Sequence, residues 1–463
     1  GLGSGDRNKD GLMSYVPHTG RERRDMLAAI GVDCVEDLFA DVPASVRFPG
    51  LNLPPALAEP DLVHEMQALA ARNLPTDPAH SFLGAGVYHH FRPSTVDYVL
   101  SRGEFYTAYT QYQPEVSQGM LQALFEYQSM ICRLTGMEVA SASHYNGANA
   151  LAEAVLLALD AAPGKRGKIV MSPAVHPQYR DIVGTYLHGG HAAAVVGDDG
   201  ETADTARLAS LIDQDTAALV VQNPNFFGQW EPVEALADAA RRAGALFVVV
   251  TDPIALGLFR PPGAYGADVV AAEGQPLGIP PSFGGPHLGI FATRMAHVRR
   301  MSGHLVGETV DADGRRGYVL TLATREQHIR RARATSNICT NSALCALGGA
   351  VYLATMGKTG LKRVAELCYQ KSHYAAAEIG RLKGFAVNPQ APARPFFKEF
   401  VVRVPAPVAD VNARLYEQFG IVGGYDLGND YPHLKDHMLI AVTEVNSRAG
   451  IDRLVMALRK AAT

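Results

Sequence analysis

Cysteine is sparse in this chain, and its placement excludes more than its number does. Five cysteines (Cys34, Cys132, Cys339, Cys345 and Cys368) are spread over 463 residues. They form no CxxC pair and no His/Cys cluster, so neither a zinc site nor a disulfide framework is expected. A reduced, cytoplasmic setting is the natural reading. Long apolar runs are missing as well. The longest clean strand-like run, Ala245–Val250, is far too short to span a bilayer, and no membrane association is expected. No secretory leader pattern opens the chain. Gly1–Leu12 is polar, glycine-rich and precedes Met13; it reads as an appended cloning remnant and is set aside. An excess of one charge is also lacking: Lys+Arg 42 against Asp+Glu 46 leaves a net −4. Composition therefore gives no reason to expect a nucleic-acid partner.

What is present is a folded chain. Hydrophobic residues make up 47% and charged residues 19%, which excludes disorder for most of the length. At roughly 100–200 residues per domain, the length suggests two to four domains. Residues 13–75 read as a helical N-terminal extension broken by prolines. Thr19 or Arg21 opens a helix through Ile30, which Gly31 ends; Val35–Phe39 is a second short segment; Asp61 is a candidate N-cap for a helix to Asn73. From about Pro75 to Tyr112 the chain is irregular, and Val116–Leu134 is a strongly amphipathic helix. Residues 76–330 then alternate helices with short apolar strands at Lys168–Met171, Ala192–Val196, Ala217–Gln222, Ala245–Thr251, Asp268–Ala271 and Leu288–Ala292. Short, continuously apolar strands separated by helices indicate a parallel sheet covered on both faces, with ligands expected at the carboxyl ends of the strands. Residues 331–463 read as a smaller α+β domain. Its helices are Asn341–Met356, Leu361–Arg381, Val408–Phe419 and Ile451–Ala461, and its strands Phe400–Val404 and Met438–Val442.

Several segments could carry chemistry. Glu104–Gly119 sets Tyr106, Tyr109 and Tyr112, with Tyr98 just before, beside Gln113, Glu115 and Gln118. Aromatic rings with polar tips suit a ligand wall or a subunit interface; a core-lining loop is the alternative. Asn146–Gly147–Ala148–Asn149 opens an apolar helix with small residues, as a phosphate site requires, although many helices of α/β proteins begin this way. Asp252, at the end of the strand LFVVV, could pair with a protonated pyridine nitrogen or simply form a turn before Pro253. Glu273–Gly289 (EGQPLGIPPSFGGPHLG) must turn tightly or approach another group closely, at a ligand or at a subunit contact. Arg325, His328, Arg330, Arg331 and Arg333 read as a solvated charged face. The small, neutral TSNICTN that follows fits a loop with Ser336, Thr340 or Asn341 capping the next helix. One absence outweighs these signals. No lysine occurs between Lys168 and Lys358, where a pyridoxal-phosphate enzyme of this architecture needs an amine to hold the coenzyme aldehyde. That stretch contains Gln275 and Pro276 instead.

Long motifs carry a family resemblance: MSYVPHTGRERRDMLAAIGV at Met13–Val32, FYTAYTQYQPEVSQGMLQ, VVQNPNFFGQWE, EGQPLGIPPSFGGPHLGIF and YVLTLATREQHIRRARATSNICTN. Over about Met13–Ala376 the chain resembles the glycine cleavage system P-protein family, on the side of its alpha (N-terminal-half) subunit. The resemblance implies an α/β fold of the type I pyridoxal-phosphate-dependent aminotransferase kind, with a large mostly parallel sheet domain and a smaller C-terminal α+β domain. It implies an α2β2 assembly with a beta subunit that carries the lysine and so holds pyridoxal phosphate covalently. It also implies decarboxylation of glycine, a small amino-acid substrate, and passage of the aminomethyl group to the lipoyl arm of H-protein. The alpha chain would then supply no Schiff-base lysine. It would contribute a wall of the shared site from Tyr106, Thr107, Tyr109, Tyr112, Glu115, Gln118, Phe283, Gly284, Gly285, Thr335, Ser336 and Asn337, and keep a cofactor-site remnant at Asn146, Gly147, Ala148, Asn149 and Asp252.

The chain departs from the family pattern in those same segments. Gln111 stands where the family has proline. His144, Asn146 and Asn149 stand in place of Met, Asp and Thr, and Ser302-Gly303-His304 in place of PGR. The departures open one alternative, a diverged paralogue acting on another amino acid or amine with a lysine-bearing partner; a cofactor-free structural or regulatory pseudoenzyme stands beside it as a third reading.

Overall fold

The computed structural model describes residues 17–47, 49–50, 52–73, 77–190, 192–197, 204–334 and 336–462. The leader 1–12 and the candidate site residue Thr335 lie outside them. The chain divides into two compact units, Gly1–Leu74 and Pro75–Thr463. In the first, α1 (Gly20–Ile30) begins and ends where its sequence says it should. Thr19 and Glu22 form a reciprocal capping box, with Thr19 N–H to Glu22 at 2.7 Å and Glu22 N–H to the Thr19 hydroxyl at 3.3 Å, and Gly31 closes the helix at φ 87°. The second helix, α2 (Glu59–Ala70), starts two residues before the expected cap. Ala58 takes the cap position and Asp61 falls in the first turn, because Pro60 needs no N–H partner there and is tolerated inside the helix start.

The second unit is built on a seven-stranded sheet. Its elements run α3 (Ser94–Leu100), α4 (Gly103–Tyr106), α5 (Gln118–Thr135), β1 (Val139–Ala140), α6 (Gly147–Ala161), β2 (Lys168–Met171), α7 (Pro177–Leu187), β3 (Ala193–Val196), α8 (Thr205–Leu211), β4 (Thr216–Gln222), α9 (Val233–Ala243), β5 (Leu246–Thr251), β6 (Val269–Glu273) and β7 (Gly289–Thr293). Strand order is β1-β7-β6-β5-β4-β2-β3. Strands β2 to β6 are parallel, and β7 runs against both neighbours. The continuous apolar runs are explained by two-sided burial. Leu219, Val221, Phe247 and Val249 enter one core with α5 and α9, while Ala218, Val220, Val248 and Val250 enter the other with α6 and α7.

A hairpin, β8 (Leu305–Val310) and β9 (Arg316–Thr321), follows. It was not anticipated, because its strands are half exposed and carry charge. After α10 (Gln327–Arg330) come the two expected helices, run together as α11 (Ala343–Ile379) and broken at Gly357 (φ 58°, ψ −175°). Its N-cap is Ser342, not Ser336, Thr340 or Asn341, and no side chain bonds the helix start from there. The chain ends with β10 (Ala386–Val387), β11 (Glu399–Arg403), α12 (Val408–Phe419), β12 (Tyr425–Asp426), β13 (His437–Ala441) and α13 (Arg448–Ala461). These form an antiparallel sheet, β10-β11-β13-β12, whose core includes Phe400, Val402, Leu415, Ile440 and Leu454.

The small sheet meets the large one at a backbone contact only glycine permits. Phe397 N–H donates to the Gly228 carbonyl at 2.9 Å. Gly228 itself sits at φ 80°, and a Cβ there would lie 2.0 Å from the Glu399 carbonyl oxygen. Gly228→Ala is expected to cost roughly 2–4 kcal/mol through strain and overpacking and to lower the thermal midpoint by several degrees, read by circular dichroism.

Candidate functional site

The cleft lies at the carboxyl ends of the parallel strands, as the topology requires. Gln222 ends β4, Asp252 follows β5 and Glu273 ends β6. One part is tight, about 50 Å³, and lies among Tyr88, His176, Asn225, Asp252 and Lys398. The other, about 570 Å³, is open and lined by Asn146, Ala148, Asn149, Gly284 and His287. Gly86, His176, Tyr179 and Glu273 line both.

The tight part is a network of buried ions. Asp252 forms the turn considered for it and also pairs with a lysine. One oxygen accepts from Ile254 N–H at 2.8 Å, forming a turn; the other lies 2.6 Å from Lys398 Nζ. Lys398 also stands 3.4 Å from the Tyr88 ring centroid and 3.2 Å from His90 Nε2. His90 Nδ1 is 2.7 Å from Glu444, which also accepts from Phe91 N–H at 2.6 Å and Cys368 Sγ at 3.3 Å. Burial acts to raise the Glu444 pKa, but His90 and the hydrogen bonds outweigh it and hold the carboxyl at about 2. Glu399 goes the other way. It accepts from the Tyr88 hydroxyl (2.7 Å) and Ala85 N–H (2.8 Å), yet burial pushes it up to about 7.

The start of α6 faces the open part. Asn146 caps it by accepting from Asn149 N–H at 2.8 Å, and Asn149 Nδ2 donates to the Tyr186 hydroxyl at 2.8 Å. Gly147 is compulsory: a Cβ there would lie 2.3 Å from the Tyr179 hydroxyl. Its N–H donates to Glu273 at 3.0 Å. Burial raises the Glu273 pKa, against the pull of these backbone donors and of His287.

The tyrosine-rich and TSNICTN segments meet at a different place. The Tyr112 hydroxyl donates to the Cys339 carbonyl at 2.6 Å, and its ring packs edge-on against His304 and His328. His304 is buried, with Nδ1 3.0 Å from Glu326. Ser336 donates to Glu153 at 2.7 Å, and with Asn337 it lines a further cavity of about 360 Å³. Tyr106, Thr107, Tyr109 and Glu115 are exposed, and the Thr107 hydroxyl bonds its own helix at Gly103. Gln118 clamps α5 to β9 by bonding both backbone groups of Tyr318, at 2.8 and 2.9 Å. Phe283 is fully exposed at φ 54°, and Gly285 follows at φ 146°. The candidate residues therefore fall into separate places: the α6 start with Gly284 on the open cleft, Asp252 in the tight cleft, and Tyr112 with Ser336 beyond them.

Two of the departing positions, His144 and Ser302, touch. His144 Nε2 lies 2.9 Å from the Ser302 hydroxyl, and His144 stacks on Phe291. Burial, with Arg325 and His304 nearby, drives His144 down to about 3, so it is neutral. Gln111 is buried, and its amide donates to the Tyr109 carbonyl. Sequence reasoning missed Lys398, Tyr88, His90, Glu399 and Glu444. One signal was available: Lys398–Glu399 sits in FFKEF, where period-two alternation cannot place both charges on a solvated face.

The sheet order and the cleft at its strand ends define the class: the fold is that of type I pyridoxal-phosphate-dependent enzymes. Mouse CSAD shares it at a TM-score of 0.68 (15% identity, 92% of this chain and 91% of that one). Alanine–glyoxylate aminotransferase of Nostoc sp. shares it at 0.59 (16% identity, 89% and 98%). Within the class, the chain belongs to the glycine cleavage system P-protein family, whose sequence pattern matches residues 13–458. It is 54% identical over 449 residues (96% of this chain, 99% of the relative) to the probable glycine dehydrogenase (decarboxylating) subunit 1 of Geobacillus kaustophilus. It is 53% identical over 454 residues (97% and 100%) to that of Thermomicrobium roseum. The crystal structure of glycine decarboxylase (P-protein) of the glycine cleavage system, in inhibitor-bound form, superposes at a TM-score of 0.87 with 45% identity (97% and 100%).

Pyridoxal phosphate, which the class implies, does not fit this chain's own cleft. Gln275 lies just after β6, in the stretch that holds no lysine. Its amide is fully engaged with Tyr88 N–H (3.0 Å), the Tyr88 carbonyl (2.9 Å) and the Ile279 carbonyl (2.6 Å). Asp252, the carboxylate that a pyridine nitrogen would need, is held by Lys398 at 2.6 Å, and the first N–H of α6 is held by Glu273 at 3.0 Å.

The Glu399 shift has a testable sign. A carboxyl whose folded pKa is about 7, against an ordinary 4.5, contributes stability that is full below about pH 4.5 and lost as pH rises through 7. Glu399→Gln keeps the acceptor for Ala85 N–H and removes the titration. The variant is expected to gain thermal midpoint relative to the parent between pH 5 and pH 8, measured at both ends.

Proposed function

We propose that this chain is the subunit without a coenzyme lysine in a heteromeric, pyridoxal-phosphate-dependent glycine decarboxylase. The observation that carries the reading is the stretch without lysine from Lys168 to Lys358, within which Gln275, just after β6, is engaged on every side. The near full-length relatives named glycine dehydrogenase (decarboxylating) subunit 1 support it, since a subunit 1 calls for a second chain. In this reading a beta subunit in an α2β2 assembly holds pyridoxal phosphate covalently, where the coenzyme acts as the electron sink for loss of CO2 from glycine. The aminomethyl group then passes to the lipoyl arm of H-protein. The five cysteines, all unpaired, suit a cytoplasmic complex.

This chain's part is to complete the wall of the partner's site and exclude water from it. The surface for that task is the set of exposed aromatic rings: Phe283, fully exposed, Tyr109 at 84% and Tyr106 at 70%. Rings left bare on a folded chain mark a protein interface. We assign Thr107, Glu115, Gly284, Gly285, Thr335, Ser336 and Asn337 to the partner-facing surface as well, with Tyr112 and Gln118 fixing loops behind it. A second reading, another amino acid or amine as substrate, is favoured by the mutual contact of His144 and Ser302 beside His304, because a linked set of departures is unlike scattered drift.

Co-expression with the lysine-bearing partner tests the proposal. The complex is expected to fix coenzyme with borohydride on the partner alone and to release CO2 from glycine; coenzyme fixed to a lysine of this chain would refute it. Phe283→Ala and Tyr109→Ala are each expected to weaken assembly about tenfold or more, measured by sedimentation. Assaying the complex with glycine against other amino acids separates the two substrate readings.

A further inference from the structure

The two ends of this chain's cleft are held by groups of the chain itself. A coenzyme of this class presents a pyridine nitrogen to a carboxylate and a phosphate to a helix start. Here the carboxylate, Asp252, lies 2.6 Å from Lys398 Nζ, and the Lys398 side chain is only 2% exposed. The ammonium is packed against the Tyr88 ring and reaches His90, so it is a built part of the interior and not a surface lysine that has strayed inward. At the other end the 15-residue helix α6 offers its first N–H, that of Gly147, to the Glu273 carboxyl at 3.0 Å. The second Glu273 oxygen takes Gln275 N–H at 2.9 Å and Leu288 N–H at 3.3 Å.

We infer that Lys398 and Glu273 are internal surrogates for a coenzyme, the first standing on Asp252 where a ring nitrogen would, the second on the start of α6 where a phosphate would. Together they engage the two groups of this chain that a coenzyme would use, and Lys398, next to β11, ties the small sheet to the large one through Asp252. The inference deepens the proposed function and rests on its assignment of the coenzyme to the partner, but it is tested on this chain alone. Failure of the partner experiment and failure here are therefore separate results.

The probe is pyridoxamine 5′-phosphate, which needs no lysine to bind, dialysed against the full chain. The parent is expected to bind none. Lys398→Ala/Glu273→Ala frees both ends and is expected to bind one equivalent. Adding Asp252→Asn to that variant is expected to weaken binding about tenfold or more, the loss of a hydrogen bond to a charged group. Stoichiometric binding by the parent overturns the inference, as does a folded Lys398→Ala/Glu273→Ala chain that gains no binding. Should that variant not fold, thermal midpoints decide. Lys398→Met leaves Asp252 buried and unpaired and is expected to lower the midpoint; Asp252→Asn/Lys398→Met is expected to recover most of the loss. No recovery would mean the two side chains are not a coupled pair, and the surrogate role falls.

Discussion

Two opposite charges meet out of water where β5 ends, and the cleft is organised around that meeting. Neither Asp252 nor Lys398 belongs to the same sheet as the other, and a buried ion without its partner costs several kcal/mol. The arrangement around the pair follows from that cost. Lys398 receives a carboxylate oxygen, a ring face and an imidazole nitrogen. The next charges outward are satisfied in turn: Glu444 by His90 and Phe91 N–H, Glu399 by Tyr88 and Ala85 N–H. Tyr88 takes part three times, through its ring, its hydroxyl and its backbone, which Gln275 grips. The tight end of the cleft is thereby an interior in its own right, while the end at the start of α6 stays open.

Much of this was legible beforehand, and the reason is local. Strands such as β4 and β5 are apolar on both faces because helices cover both, and that leaves an unmistakable run in the sequence. Helix α1 carries its own stop and start in Gly31 and Thr19. The absence of a lysine between Lys168 and Lys358 is also a local fact, and the proposed division of labour with a partner chain starts from it. What stayed hidden was non-local. Nothing near Asp252 announces that its partner is Lys398, and nothing near Glu273 announces that it faces Gly147. The hairpin β8–β9 was hidden for another reason: with one side half exposed, its apolar signal is diluted by Glu308, Arg316 and their neighbours.

The candidate residues show the same division. The glycine and asparagine positions at the start of α6 were found because helix starts have a recognisable chemistry, and Asn146 does cap the helix. Gln118 was singled out with the tyrosines, but its amide is spent on the backbone of β9, a structural task that a polar side chain in a motif does not advertise. Phe283 is the reverse. A bulky residue at positive φ with nothing covering it is costly both conformationally and in contact with water, which is why it carries weight in the reading of a partner-facing wall.

Helix α11 links distant parts of the molecule in a way that bears on how the molecule comes apart. Its first half packs Ala346, Leu347 and Tyr352 into the core beneath the large sheet. Beyond Gly357 it continues through Val364 and Cys368 in that same core and ends with Ala375, Ala376 and Ile379 in the core of the small sheet. The half beyond Gly357 thus reaches both interiors, and neither can melt without loosening its grip on the other. Heat should therefore dismantle the two lobes in a single step, and a protease should find no stable half-molecule to leave behind.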